Sequence, residues 1–167
     1  MSANWTVNLS TGKIFANYTL SGTSAQISNT TTLNCIEACV LNFTIYATDT
    51  NNNVRQNSTL LVVADVTTPI VNTTFNNTAP TLYQWLNFTG NVTDRVGLLY
   101  GNWTYNISGS ITKLNYTLSG TSAQISNITQ LNFAGIFNFT LFVTDINNNV
   151  KQNSTLITVA DNIFPIA

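Results

Sequence analysis

Thirteen residues occur twice in this chain: Asn17 to Asn29 and Asn115 to Asn127 both read NYTLSGTSAQISN. The match extends outward in both directions. NWTVNLS at Asn4 aligns with NWTYNIS at Asn102, an offset of 98, and Asn42 to Asp65 aligns with Asn138 to Asp161 at an offset of 96. The second copy lacks two residues where NCIEACVLNFT in the first faces NFAGIFNFT. Such an indel belongs in a loop, here one that carries both cysteines. Self-similarity at a fixed period marks units that stack or string together, and 96 to 98 residues is about the length of one small β-sandwich.

The phase of the repeat is uneven. Residues 1–65 match only the latter two thirds of a unit and lack its opening strands, 66–161 make a complete unit, and 162–167 begin a further one, Pro165-Ile166 repeating Pro69-Ile70. Either the chain is a window on a longer array, or a neighbouring chain donates the missing strands, since an open sheet edge invites another strand.

Alternation gives the strands. In LNFTGNVTD, Leu86, Phe88 and Val92 share one face and Asn87, Thr89, Asn91 and Thr93 the other; in NFTLFVT, Phe139, Leu141 and Val143 oppose Asn138, Thr140 and Thr144. The complete unit reads as seven strands: Pro69 to Phe75, Leu82 to Val92, Leu98 to Ile107, Lys113 to Leu118, Ala123 to Thr129, Ile136 to Thr144 and Ser154 to Ala160. Asn-rich turns separate the last two, because Asn tolerates left-handed backbone angles. No run of ten residues has helical period. The fold class expected is all-β, a tandem array of two-sheet sandwiches.

Composition sets the surroundings. Charged residues are 7% of the chain, against about 25% in ordinary soluble domains, while hydrophobic residues reach 44% and the net charge is −1. That content supports a core. No apolar run is long enough to span a bilayer, the first residues lack the basic and apolar regions of a secretory signal, and no basic cluster exists to neutralise nucleic-acid phosphates. With no His, six acidic residues and two cysteines, nothing in the sequence assembles a catalytic set or a cofactor site, so no enzymatic activity is expected.

Three stretches carry a resemblance: NFTGNVTD early in the unit, GIFNFTLFVTDINNNV late in it, and the junction VADVTTPIV. They are similar to the immunoglobulin-like tandem repeats of prokaryotic, particularly archaeal, extracellular surface proteins. The resemblance covers nearly the whole chain. It implies immunoglobulin-like sandwiches in which Trp103, with Tyr105, is the inward tryptophan of a central strand, matched by Trp5 in the first copy. Neither cysteine stands where the inter-sheet bridge of antibody domains would require it.

Asn-x-Ser/Thr occurs sixteen times, at Asn4, Asn8, Asn17, Asn29, Asn42, Asn57, Asn72, Asn76, Asn87, Asn91, Asn102, Asn106, Asn115, Asn127, Asn138 and Asn153. In the strands just read, these asparagines fall on the polar face, where covalent N-linked glycans could project into solvent. A surface with so few charges gains hydration and steric protection from sugar.

Cys35 and Cys39 are expected to form a local disulfide, which fits an oxidising, extracellular setting. Asp49-x-Asn51-x-Asn53 and Asp145-x-Asn147-x-Asn149 have the oxygen spacing of calcium loops but lack the glycine and distal glutamate; they read as hairpin turns. A calcium role at the repeat junctions for Asp65 and Asp161 is the alternative, with one carboxylate each; no other metal site is expected. Tyr46, Tyr83, Trp85 and Phe142 share polar faces with sequon asparagines and are candidate contact aromatics.

Two function classes remain open. The first is a structural subunit of a heavily N-glycosylated extracellular filament, stalk or surface layer, partnered by other copies of itself. The alternative is an adhesin or viral fibre module that binds a host glycan or protein.

Overall fold

Period-two sequence becomes strand throughout: the described residues hold eleven β-strands and no helix. The structure, a computed structural model, describes residues 1–9, 12–33, 35, 38–107 and 109–163. It divides into two compact units, Met1–Asp65 and Val66–Ala167. Of the expected further copy at 162–167, residues 164–167 lie outside the described residues.

The first unit is one antiparallel sheet, ordered β2-β1-β3-β4, made of β1 (Ser2–Leu9), β2 (Gly12–Thr19), β3 (Cys39–Thr48) and β4 (Val54–Val63). Ala3 and Val7 of β1 and Leu41 of β3 are buried on one face, beside half-buried Trp5 and Phe43, whose ring centroids lie 6.1 Å apart. The opposite face carries Asn4, Thr6 and Asn8, as alternation requires.

The second unit contains β5 (Ile70–Phe75), β6 (Trp85–Thr93), β7 (Leu98–Ile107), β8 (Ser110–Thr117), β9 (Ser122–Gln130), β10 (Gly135–Asp145) and β11 (Val150–Val159). They form a four-stranded sheet, β11-β10-β7-β8, and a three-stranded sheet, β5-β6-β9. This is the two-sheet sandwich of immunoglobulin-like folds. The seven expected strands are all present, β7 with the expected bounds and the other six with shifted ends. β11 starts four residues before its expected Ser154, at Val150, and β6, expected from Leu82, starts three residues late: Tyr83 takes φ 63 and donates its N–H to the Leu131 carbonyl, so strand geometry begins at Trp85. Ahead of it the chain crosses to β11, where Thr81 forms a parallel bridge with Ala160.

Aromatic packing fills the sandwich. Trp103 and Phe139 from the larger sheet and Phe88 from the smaller are fully buried, and Phe88 lies with its centroid 4.9 Å from Trp103, 5.3 Å from Tyr105 and 5.1 Å from Phe139. Each such side chain contributes about 1.5–3 kcal/mol by leaving water. Two glycines let the sheets close on one another. A Cβ at Gly90 would stand 2.2 Å from Leu141 Cδ2, and one at Gly101 2.7 Å from Ile125 Cδ1.

The four strands of the first unit repeat β8-β7-β10-β11 in the same order. Residues 1–65 contain no counterpart of β5 or β6, and the counterpart of β9 has no strand structure.

Candidate functional site

The outer faces of the sheets carry most of the acceptor asparagines. Twelve of the sixteen are exposed and Asn42, Asn102, Asn127 and Asn153 are half-buried, so the sequons divide by where their strands point them. On the smaller sheet of the second unit, Asn72 of β5 stands opposite Asn91 of β6, and Asn87 lies further along the same face. Asn91 accepts a hydrogen bond from Gln124 Nε2 at 2.9 Å through its oxygen. On the larger sheet, Asn102 of β7 faces Asn115 of β8 and donates to its Oδ1; Asn4 and Asn17 stand in the same register in the first unit. Asn8, Asn106 and Asn138 are exposed, as is Asn29 in the loop after β2.

Three acceptors depart from the expected outward placement. Asn153 pairs with Leu141 in the β10–β11 ladder and therefore shares its inward face; its Nδ2 donates to the Val71 carbonyl and to Thr73 Oγ1, both at 3.3 Å, tying β11 to β5. Asn57 repeats that position in the first unit, opposite Ile45, but is exposed. Asn127 pairs with Phe88 and also faces inward. Asn76, though exposed, behaves as an extra ladder residue: its Oδ1 accepts the Asn87 N–H at 2.8 Å and its Nδ2 donates to the Trp85 carbonyl at 3.3 Å.

The candidate aromatics separate into two kinds. Tyr83 and Trp85 are well exposed, at 56% and 57%, and flank Gln84 at the start of β6, two residues from Asn87. Their backbone is fixed, because Gln130 Nε2 donates to the Tyr83 carbonyl and Leu131 N–H to that of Gln84. Ile128, opposite Asn87 on β9, is exposed on the same face. Tyr46 and Phe142 lie on outer faces beside Asn42 and Asn138 but are half-buried.

Both Asp-x-Asn-x-Asn segments are hairpin clasps. Asp49 Oδ1 accepts the N–H groups of Asn51 and Asn53, and its Oδ2 accepts Asn53 Nδ2 at 2.9 Å. Asp145 does the same with Asn147 and Asn149. Asn52 and Asn148 take φ 64 and 67 between them, the left-handed geometry Asn supplies. The Asn53 side-chain amide, with the backbone N–H groups, holds the Asp49 carboxyl below its ordinary value of 3.8.

Asp94 and Asp161 are engaged as well. Asp94 Oδ1 accepts from Val96 and Gly97, and Asp161 Oδ1 from Ile163. Buried Asp94 and Asp145 bring carboxylate oxygens within 4.8 Å of each other in the second unit, an acidic pair that sequence spacing gave no sign of. Asp65 is buried and Asp161 exposed, so the two junction aspartates differ. Cys35 and Cys39 are joined as a disulfide with Cα atoms 6.0 Å apart.

No protein-family model matches the chain, and no curated protein matches it. Solved structures do. A crystal structure titled as the tetra-tandem repeat in the extending region of a large adhesion protein superposes with a TM-score of 0.50 at 18% identity, over 95% of this chain and 41% of that one. The sporulation control protein Spo0M of Bacillus subtilis matches at a TM-score of 0.41 and 12% identity, over 56% of this chain and 50% of that one. The chain thus spans less than half the length of the adhesion-protein structure, and the likeness there is one of fold: an all-β repeat protein. No helix among the described residues is long and apolar enough to cross a membrane.

Proposed function

We propose that the chain is a structural repeat module of an extracellular, N-glycosylated filament, stalk or surface layer, partnered by further copies of itself and acting without catalysis or cofactor. The observation that carries this reading is the exposure of twelve acceptor asparagines, most of them on outer faces, on a surface with few charges. Sugar on Asn72, Asn87 and Asn91 would cover one face of the sandwich, and sugar on Asn106, Asn115 and Asn138 the other, replacing the hydration that charged side chains normally provide. The sandwich beneath would act as a spacer, a reading supported by the similar fold of a tandem repeat from the extending region of a large adhesion protein. A disulfide in the chain suits an oxidising environment. Glycopeptide mass spectrometry of the native protein tests the reading directly. Expected are occupied sites at the exposed outer-face asparagines and little or no occupancy at Asn153. Bare asparagines across both outer faces would overturn it.

A second reading rests on Tyr83 and Trp85, which present two rings on a rigid backbone beside Asn76 and Asn87. Such rings stack well on sugar, and the module would then be an adhesin or fibre segment gripping a host glycan or protein. Glycan-array binding that disappears in Trp85→Ala with the fold intact supports this reading; unchanged binding, or none in either protein, removes it.

A further inference from the structure

On the outer faces of the second unit, large apolar side chains left in water stand beside acceptor asparagines. Trp85 precedes Asn87 by two residues on β6, and Ile128 lies directly opposite Asn87 on β9; they are 57% and 54% exposed. The larger sheet repeats the arrangement with aliphatic side chains. Ile136 precedes Asn138 by two residues on β10 and Leu156 faces it from β11, exposed by 68% and 67%. Residues two apart on one strand face lie about 7 Å from each other, and directly opposed residues have Cβ atoms about 5 Å apart. Both flanks are therefore within reach of a single sugar ring on the asparagine. Other exposed acceptors are framed differently: Asn91, four residues on from Asn87 along the same face, has Thr89 and Thr93 beside it and Asn72 and Gln124 opposite. Asn115 has Lys113, Thr117 and Asn102 around it. The backbone at the Trp85–Asn87 pair is also tied down, because the Asn76 side chain accepts the Asn87 N–H and donates to the Trp85 carbonyl.

We propose that Trp85 and Ile128 form a seat for the first sugar of the glycan on Asn87, an inference that rests on the glycan-coated reading above and divides its acceptors into seated and free. What covers the patch is set by its centre, a sequon asparagine whose sugar is attached within reach of both side chains. A pyranose ring carries axial C–H bonds on its face, and that face packs against an indole or a branched aliphatic side chain as another apolar surface does. The sugar is tethered, so its effective concentration at the seat is high, and a contact too weak to hold a free sugar is enough to hold this one. Trp85 and Ile128 thereby leave water. That removes an apolar patch from a surface with few charges to oppose self-association. Ile136 and Leu156 do the same for Asn138. Sugars on Asn91 and Asn115 meet polar neighbours and stand free in solvent. On this assignment Trp85 is engaged by the chain's own carbohydrate and is not available to a host glycan.

The test uses the full chain made in a eukaryotic host that adds high-mannose N-glycans, trimmed with endoglycosidase H to a single N-acetylglucosamine at each occupied acceptor. Galactosyltransferase with UDP-galactose then caps each sugar, a reaction that needs the ring lifted off the protein, and glycopeptide mass spectrometry reads the rate at each acceptor. Capping at Asn87 is expected to be at least about fivefold slower than at Asn91 and Asn115, the scale of one aromatic contact. Trp85→Ser combined with Ile128→Ser should bring Asn87 to the Asn91 rate and leave Asn91 and Asn115 unchanged; both side chains are exposed, so neither change opens the core. Acrylamide quenching supplies a second measurement. The sugar should shield Trp85, whose emission is the difference from Trp85→Phe, and Asn87→Gln should abolish the shielding. Equal capping at the three acceptors, slow capping that survives Trp85→Ser with Ile128→Ser, quenching that Asn87→Gln leaves unchanged, or an Asn87 that the host leaves bare overturns the proposal. Glycopeptides of the native protein report on the coat and capping rates on the seat, so the two failures are distinguishable.

Discussion

The same thirteen residues, NYTLSGTSAQISN, live in two structural states in this molecule. In the second unit, Ser122–Gln130 is a strand paired with β6 along its whole length; in the first, Ser24 to Asn29 has no strand structure. Local propensity is identical, so the difference comes from the partner. β6 supplies nine paired residues to the second copy, and residues 1–65 contain nothing equivalent. One contact survives in both states: Tyr18 donates its hydroxyl to the Ser28 carbonyl at 3.0 Å, as Tyr116 does to Ser126 at 3.2 Å. The segment is thus tethered to its sheet before it is a strand. Strand formation in this sequence is a property of the sheet, in line with the context dependence of β propensity.

The comparison can be broken most severely at its aromatic centre. Phe139→Ala removes a buried ring that contacts Phe75, Phe88 and Tyr105 at centroid distances of 5.1–5.6 Å and should cost about 3–5 kcal/mol in the second unit. Phe43→Ala, at the half-buried counterpart, should cost less than half as much. Denaturant-dependent hydrogen exchange read separately over the two units measures both, and equal losses would refute the claim that Phe43 is less enclosed than Phe139. Next comes Gly90→Ala, which forces a Cβ against Leu141 and should destabilise the second unit by about 1–3 kcal/mol, with Leu141→Ala in the same chain relieving the clash. A smaller effect is expected from Tyr116→Phe, about 0.5–1.5 kcal/mol for the lost bond; Tyr18→Phe should instead speed exchange over residues 24–29 with little change in the stability of β1–β4.

The smallest effect concerns pH. Because its folded pKa lies below its unfolded one, the Asp49 clasp stabilises the β3–β4 hairpin above the unfolded carboxyl pKa and fades as pH falls through the folded value. Asn53→Ala removes the leading cause and should bring the Asp49 titration, followed by carboxyl NMR shifts, back toward its ordinary position.

Strand positions were legible in the sequence because the core alternates cleanly: Leu86, Phe88 and Val92 are buried and Asn87 and Asn91 exposed, as the pattern requires. Turn chemistry was legible for the same local reason at Asp49 and Asp145. What escaped was non-local. Asn153 reads like any other sequon, yet its ladder pairing with Leu141 turns it inward. Tyr83 sits in an apparent strand but adopts a left-handed angle pinned by Leu131. The duplicated thirteen residues carry no mark of which copy has a partner strand. Register and partnership are set by other strands, and a window of sequence does not contain them.

The Asp–Asn clasp at the end of β3 and β4 closes on itself and asks nothing of a second sheet. It holds Thr48 opposite Val54, and with them every pair down to Cys39 and Val63. A sheet indexed from its own turn keeps its register without help from a second sheet, so a face packed on it meets a template already in alignment and spends little ordering free energy on it.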